Sequence, residues 1–227
     1  MNDVQHAVEQ AIVSRQSIRG FLPKPVPTDL IRRILEAASR APSGSNIQPW
    51  KVHVVTGARR DALSQALVQA HVRGEPDRRE YQYYPVTWRD PYLERRRKTG
   101  WGLYSLLGIQ KGDRDASMRQ HARNFEFFDA PCVLLFTIDN DMDKGSWLDY
   151  GMFLQNVMIM ARGCGLDTCP QAALANYPDI VKQHLSIPDD EIVVCGISMG
   201  YQDLNEPVNQ YRTTRVPVDE FTTFHDA

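Results

Sequence analysis

The run "WLDYGMFLQNVMIMARG", residues 147–163, constrains the fold more than any other feature of this sequence. It is apolar nearly all the way round a helix, and such a helix has to be buried on nearly all sides. The run still carries four polar side chains, and it is shorter than the roughly 20 apolar residues that cross a bilayer. We therefore predict a central buried helix over 147–163, which a subunit interface covers more easily than a single chain does.

Composition narrows the class of protein. The chain has 227 residues, with 42% apolar and 24% charged side chains, which fits one large globular domain or two small ones. A net charge of -2 argues against a polyanion-binding protein. The basic run 95–98 lies close to Asp90 and Glu94, which is typical of a solvated face rather than of a nucleic-acid site.

The cysteines and the first residues bear on the cellular compartment. Four cysteines lie in or beside apolar runs without a CxxC pair, which predicts reduced core thiols in a cytoplasmic protein. The start "MNDVQHAVEQ" has neither a basic region nor an apolar core, so we do not expect a secretory signal peptide. The four thiols are Cys132, Cys164, Cys169 and Cys195.

Hydrophobic periodicity predicts alternating helices and a few strands. A first helix is expected from Val4, after a cap at Asn2 or Asp3, and a second over 30–38, after a cap at Thr28 or Asp29. Two more helices are expected over 58–70 and over 178–186, the last with Pro178 in its first turn. Strands are expected over 50–56, 130–139 and 191–200. This order of elements favours an α+β or α/β sandwich.

Residues 71–118 differ from the rest of the chain. They are polar, interrupted by Gly and Pro, and rich in tyrosine and tryptophan. Long segments of this kind in compact domains are usually lids or binding loops. A surface excursion whose aromatic side chains pack onto the core explains the same residues, so the sequence leaves both interpretations open.

Several common kinds of site are missing from the sequence. The six histidines show neither HExxH nor another paired ligand spacing, so no metal site is expected. There is no G-x-S-x-G nucleophile turn, no Walker loop and no G-x-G-x-x-G between a strand and a helix.

Two basic clusters remain as candidates for an anion site. "SRQSIRGF" places Arg15, Ser17 and Arg19 within five residues, and in an extended chain these alternate residues point the same way. Two guanidiniums and a hydroxyl on one face suit a phosphate. "NQYRTTRVP" adds Arg212 and Arg215 near the other end of the chain, although surface ion pairs would explain either cluster alone.

The connector "RAPSGSNIQPW", residues 40–50, holds more small hydrogen-bonding groups than a turn needs. Together with "SRQSIRGF", "GLDTCPQAAL" and "GYQDLNEPVNQYRTTR", it resembles the motifs of the FMN-dependent nitroreductase family, in the same order and across residues 8–224. The insertion at 71–118 resembles that of the branch that reduces nitrobenzoates and other nitroarenes. The resemblance implies a single domain over 1–227, with an α+β fold, a mostly antiparallel central sheet flanked by helices, and an intertwined homodimer.

The resemblance also assigns the cofactor site, with two FMN molecules per dimer, each held by both subunits. Residues that match phosphate and ribityl ligands are Arg15, Gln16, Ser17, Arg212 and Arg215. Arg19 matches a basic residue beside the pyrimidine edge of the flavin, and Asn124 matches an amide that binds the ring edge. The segment that runs over the flavin matches Pro170, Gln171, Ala172 and Ala173, where Ala172 in place of an acidic residue implies a backbone role. The loop that reaches the flavin of the other subunit matches Pro42, Ser43, Gly44 and Asn46.

The activity implied is NAD(P)H-driven, ping-pong reduction of a small aromatic acceptor, a nitroarene or a quinone. NADPH or NADH is the expected donor, and no side chain is expected to act as a nucleophile. Two alternatives stay open: another reaction on the same scaffold, such as reductive dehalogenation, enone reduction or flavin cleavage, and a flavin-binding dimer without activity. A nucleic-acid or membrane partner is not expected.

Overall fold

A four-stranded antiparallel sheet with the order β1-β2-β4-β3 lies at the centre of the molecule. The structure is a computed structural model, and it describes residues 2–225. The strands are β1 (Lys51–Thr56), β2 (Cys132–Asp139), β3 (Asp167–Gln171) and β4 (Glu191–Gly200). The α+β fold with a mostly antiparallel sheet is therefore confirmed.

Helices cover both faces of this sheet. The described helices are α1 (Asp3–Ser14), α2 (Thr28–Ala38), α3 (Gly57–Val72), α4 (Tyr92–Leu106), α5 (Arg114–Ala122), α6 (Lys144–Gly163) and α7 (Pro178–Leu185). In β2, Leu134 and Phe136 face the core that contains α2 and α6. Val133 and Leu135 face the opposite core, which contains α3 and α7. Because side chains alternate along a strand, a strand covered on both faces is apolar throughout.

Two of the predicted helix starts can be compared with the structure. The backbone N–H of Gln5 donates to Asn2 Oδ1 at 2.8 Å, so Asn2 caps α1 as predicted. The prediction of Thr28 or Asp29 as the cap of α2 was wrong. Pro27 occupies the cap position without a side-chain hydrogen bond, since its extended backbone already leads into a helix that begins at Thr28.

The long apolar run forms α6, three residues longer at its start than predicted. Tyr150, Phe153, Val157 and Ala161 are buried on the face that packs against the sheet and α2. Leu148 is 72% exposed, so a single chain does not cover the whole helix. Across residues 2–225, none of the helices combines the length and apolarity that crossing a membrane requires.

Two features differ from the sequence-based expectations. The strand β3, which contains Pro170 and three polar residues, was not predicted, and it forms because β4 offers a paired edge. The segment 71–118 is more helical than predicted, since it contains the last residues of α3, all of α4 and the start of α5.

Candidate functional site

A cavity of about 410 Å³ lies between two chain segments that are almost 200 residues apart in sequence. The first segment follows α1, and the second follows a short 3₁₀ turn at Pro207–Gln210. The lining side chains are those of Ile12, Val13, Arg15, Gln16, Ser17, Arg19, Tyr211, Arg212, Thr213 and Arg215. Both basic clusters singled out in the sequence therefore meet at one cavity.

Pairing with β3 fixes the first segment. Ser17 forms an isolated parallel bridge with Thr168, and the N–H of Ile18 donates to the Thr168 carbonyl oxygen at 3.0 Å. Ile18 is fully buried in a small apolar cluster that includes Phe21 and Cys169. Because Ile18 anchors the extended chain in this cluster, its neighbours Ser17 and Arg19 line the cavity, as the alternation predicts.

The cavity is strongly electropositive. None of its four arginines forms an ion pair with another residue of the described chain. Burial, and next the charge of Arg215, lower the pKa of Arg15 below its ordinary value. Two cations that repel each other in a partly buried site gain stability when an anion enters between them. This arrangement therefore favours an anionic ligand.

Two buried polar atoms near the cavity also lack partners. Gln16 Oε1 and Thr168 Oγ1 have no hydrogen-bond partner among residues 2–225. Gln16 lines the cavity, whereas Thr168 lies in β3 behind Ser17. Buried polar groups in native proteins are nearly always hydrogen-bonded. Because the Gln16 oxygen is itself buried, a ligand in the cavity reaches it only if the side chain turns.

The end of β3 presents backbone and apolar surface next to the cavity. Pro170 is exposed, whereas the Gln171 side chain turns into the core, donates to the Asn124 carbonyl oxygen at 2.7 Å and accepts from Ser198 Oγ. Ala172 and Ala173 begin a 3₁₀ turn. Only backbone atoms and small side chains of Pro170–Ala173 are thus available to a ligand, in agreement with the backbone role that Ala172 implied.

Asn124 lies beside this segment. Its side-chain amide donates to the His121 carbonyl oxygen at 3.0 Å, and its own carbonyl accepts the bond from Gln171. The side-chain oxygen of Asn124 has no such bond to the described residues. The residue is therefore next to the proposed ring-binding segment, with one acceptor available.

A second cavity, of about 360 Å³, lies between the end of β3 and α6. Its walls are mostly apolar and include Pro170, Ala172, Trp147 and the aromatic residues Tyr81 and Tyr83. The ring centroids of Tyr81 and Trp147 are 4.7 Å apart, and burial raises the pKa of the Tyr81 hydroxyl, which donates to the Val194 carbonyl oxygen. A flat space of this kind, lined by aromatic rings, suits a planar aromatic ligand.

Part of the insertion packs onto the core, as one of its two sequence-based interpretations expects. Tyr81 packs there, while Tyr83, Tyr84, Tyr92 and Trp101 are about half exposed. Tyr83 and Tyr84 extend from Tyr81 as a chain of contacting rings, with centroid distances of 6.3 and 4.6 Å. One end of the insertion is therefore fixed beside the second cavity, and a covering role for its other aromatic side chains stays a prediction.

The loop that holds Pro42, Ser43, Gly44 and Asn46 lines neither cavity of its own chain. It lies against α6, where the N–H of Gly44 donates to Asp149 Oδ2 at 2.9 Å. Ser43 Oγ accepts from the N–H of Gln48 at 3.0 Å, which closes the loop. The structure therefore brings the Arg15–Arg19 segment together with Arg212 and Arg215 at the first cavity, places Pro170, Gln171 and Ala172 at the second, and leaves this loop on a separate surface.

Sequence reasoning missed several residues of the site. Tyr211 and Thr213 line the first cavity on either side of Arg212, and both could have been found as close neighbours of the two arginines in "NQYRTTR". Asp149 is one of the four polar residues in the apolar run 147–163, and the sequence pattern did not single it out. Burial raises the pKa of the Cys169 thiol to about 11, which agrees with the absence of a nucleophilic cysteine.

Comparisons with known proteins identify the family of this chain. The model of the nitroreductase family matches residues 12–201. The chain is 42% identical over 216 residues to 4-nitrobenzoate reductase of Pseudomonas putida, covering 95% of this chain and 94% of that protein. It is 40% identical to chloronitrobenzene nitroreductase of Comamonas testosteroni over 219 residues, which cover 96% of each chain.

Solved structures give the same result. The FMN-dependent nitroreductase NfnB of Mycobacterium smegmatis, crystallised in complex with NADPH, superposes with a TM-score of 0.94. The two sequences are 34% identical, and the alignment covers 99% of this chain and 100% of that one.

Proposed function

This chain belongs to the nitroreductase family, and from that premise we propose that it is an FMN-dependent oxidoreductase that uses NAD(P)H to reduce nitroaromatic or quinone-like acceptors. The observation that carries the proposal is the cavity with four arginines and no counter-ion in the described chain. A single phosphate matches that charge pattern, because guanidiniums bind phosphate oxygens through strong, charge-assisted hydrogen bonds.

The residues present fit the chemical groups of FMN. Arg15 and Arg215, with Arg212 beside them, hold the phosphate. Ser17 and Gln16, which line the same cavity, bind the ribityl hydroxyls. Arg19 serves the pyrimidine edge of the ring, Asn124 offers its side-chain oxygen nearby, and Pro170–Ala173 supports the ring with its backbone. When bound, FMN supplies the redox chemistry by taking a hydride from NAD(P)H and passing electrons to the acceptor.

The protein's own contribution is binding, orientation and electrostatics. Arg19 stabilises negative charge that develops at the ring edge, in a fixed position that costs no reorganisation. Tyr81, Tyr83 and Trp147 provide apolar surface for planar ligands and exclude water from the site. Donor and acceptor bind in turn at the same place, so the kinetics are ping-pong.

The proposal includes an intertwined homodimer in the cytoplasm. One support is the apolar side chain of Leu148 on α6, which is exposed in the single chain. The other is the loop 42–46, which lies outside the cavities of its own chain. Four free cysteines are in keeping with a reducing compartment. In the dimer, Pro42, Ser43, Gly44 and Asn46 complete the FMN site of the other subunit.

The test uses the purified protein under argon. We expect a yellow protein that releases FMN on denaturation and oxidises NADPH or NADH steadily only when a nitroarene or quinone is present. Double-reciprocal plots with both substrates varied should give parallel lines. A colourless protein that FMN does not reconstitute would refute the proposal, and a flavoprotein that oxidises no nicotinamide cofactor with any acceptor would reduce it to a binding protein.

A further inference from the structure

The two segments that line the arginine cavity are joined by one buried amide, that of Asn209. This residue lies in the 3₁₀ turn Pro207–Gln210, directly before the segment that carries Arg212 and Arg215. Its side chain is only 4% exposed, and it does not line the cavity. Asn209 therefore lies behind the cavity wall, between the two segments.

The side chain and the backbone carbonyl of Asn209 bond to the first segment at Gln16, Arg19 and Gly20. Its Oδ1 accepts from the backbone N–H of Arg19 at 2.7 Å. Its Nδ2 donates to the carbonyl oxygens of Gly20 at 2.8 Å and Asp203 at 2.9 Å. Its backbone carbonyl accepts from Gln16 Nε2 at 3.3 Å, which leaves Gln16 Oε1 free for another partner. One residue thus holds the first segment at three points.

The packing at this junction is tight. A Cβ added at Gly20 would lie 2.4 Å from Glu206 Cγ and 3.3 Å from Asn209 Nδ2. The backbone N–H of Asp203 also donates to the Gly20 carbonyl oxygen at 3.0 Å. The first segment and the turn before the C-terminal segment are therefore in direct contact, and the Asn209 amide adds to the bonds that hold them. Side chains held by several buried hydrogen bonds keep a binding site in its productive geometry.

The charge of the cavity explains why a neutral clamp is needed. The segments carry arginines of like charge, and burial first, then the charge of Arg215, lower the pKa of Arg15. A carboxylate could join such segments, but it would neutralise a guanidinium and compete with an anionic ligand. An amide offers the same acceptor and two donors without any charge.

We infer that Asn209 is a positioning residue for the phosphate end of bound FMN: it holds the Arg15–Arg19 segment against the Arg212–Arg215 segment without touching the cofactor. The inference rests on the proposed function, since FMN is the ligand whose phosphate these arginines bind.

The experiment compares FMN with riboflavin, which lacks the phosphate, as ligands of the apoprotein. Flavin fluorescence quenching gives both dissociation constants for the wild type, Asn209→Ala and Asn205→Ala. Asn205 lies in the same segment, but it is exposed, and its side chain has no hydrogen bond in the described chain. We expect Asn209→Ala to weaken FMN binding about tenfold, the loss of roughly one buried hydrogen bond, and riboflavin binding by less than about threefold. Asn205→Ala should change neither.

Each other outcome has a defined meaning. A wild-type protein that binds no FMN overturns the proposed function itself. If the wild type binds FMN and Asn209→Ala binds it equally well, the inference is wrong and the function stands. Equal losses for FMN and riboflavin, with a lower melting temperature, show a purely structural role and also overturn the inference. If Asn209→Ala does not fold, Asn209→Ser, which offers one hydroxyl, takes its place. The inference then requires that Asn209→Ser weaken FMN binding more than riboflavin binding.

Discussion

Arg19 differs from Arg215 in how its backbone is held. Both side chains bond only to near neighbours: Arg19 Nη1 donates to the Ser17 carbonyl oxygen at 3.2 Å, and Arg215 Nη1 donates to Thr213 Oγ1 at 2.8 Å. The backbone N–H of Arg19 also donates to the distant Asn209 Oδ1. The position of Arg19 in the chain is therefore fixed by a second segment.

We predict that Arg19→Gln lowers the two-electron midpoint potential of bound FMN. Reduction places negative charge at the ring edge that Arg19 serves, so its guanidinium stabilises reduced flavin more than oxidised flavin. A charge-assisted hydrogen bond is worth roughly 1.5–3 kcal/mol. If the replacement amide and solvent leave about half of this effect, the drop is about 15–30 mV, since about 30 mV corresponds to 1.4 kcal/mol for two electrons. A redox titration against a reference dye measures it.

The control for this prediction is Arg33→Gln, on the exposed face of α2, which should leave the potential unchanged. Oxidised FMN should bind to Arg19→Gln about as tightly as to the wild type. An unchanged potential combined with weaker FMN binding would show instead that Arg19 is a phosphate ligand.

At the scale of elements, the loop after α2 is strained and depends on α6. Ser45, Asn46 and Gln48 have φ angles of 49°, 57° and 51°, a left-handed region that side chains other than glycine rarely adopt. Such strain persists only where surrounding contacts hold it, and it is common at functional sites. The bond from the Gly44 N–H to Asp149 is one of these contacts.

We predict that Asp149→Ala lowers kcat/KM for the acceptor, because a loosened loop no longer completes the site of the other subunit. The loss should be about two- to tenfold, the value of one partly exposed hydrogen bond. Asp149→Asn keeps an acceptor oxygen and should retain most of the activity. Steady-state kinetics of both variants make the comparison, and equal activities of Asp149→Ala and the wild type would contradict a role for this contact.

A polar cluster joins β1, β2 and β4 away from the cavities. Lys51 Nζ contacts Asp139 and lies 2.9 Å from Glu191 Oε1, while Thr137 Oγ1 donates to Glu191 Oε2 at 2.5 Å. Burial on its own would raise the pKa of Glu191, but the bonds from Thr137 and Lys51 outweigh it, and the pKa is lowered. Glu191 is therefore a charged group whose ionised form stabilises the native sheet.

This cluster predicts a pH-dependent stability. A carboxyl whose pKa is lowered on folding stabilises the protein above its unfolded pKa and loses that contribution as the pH falls through the folded value. Glu191→Gln should therefore lower the free energy of unfolding at pH 7 by about 1–3 kcal/mol. The difference in the free energy of unfolding between the variant and the wild type should become smaller at pH values below 4.5, the ordinary glutamate pKa. Urea unfolding at pH 7 and pH 3.5 measures it, with the exposed Asp189→Asn as the control, and a difference independent of pH would exclude this mechanism.

At the scale of the whole molecule, the proposal requires that each FMN site contain residues of both subunits. In a heterodimer of Arg15→Ala and Asn46→Ala chains, one site carries both substitutions and the other carries neither. We predict that mixing the two impaired homodimers restores activity, up to about half that of the wild type per heterodimer. Subunit exchange followed by an activity assay measures the recovery.

The matched control mixes Arg15→Ala with Arg215→Ala. Both residues line the same cavity of one chain, so each site of this heterodimer keeps one substitution and activity should not recover. Recovery in the control, or none in the first mixture, would argue against a shared site.

The sequence by itself determined the elements whose signal is local. The alternation of "WKVHVVT" and the apolar runs at 130–139 and 191–200 predicted three strands, and the apolar run 147–163 predicted α6. Such predictions work because a buried face makes apolar residues recur at the spacing of the helix or strand. The family motifs identified the arginines, and their meeting at one cavity agrees with that assignment.

Only the tertiary structure decided the features that depend on distant partners. The strand β3 contains a proline and polar residues, and it exists because β4 and Ser17 pair with its two edges. Asn209 looked like one polar residue among many, and its role depends on Gln16, Arg19 and Gly20, about 190 positions earlier in the chain. Local patterns record how much of a residue is buried, but not which groups it meets there, and hydrogen bonds between distant segments leave no period in a single sequence.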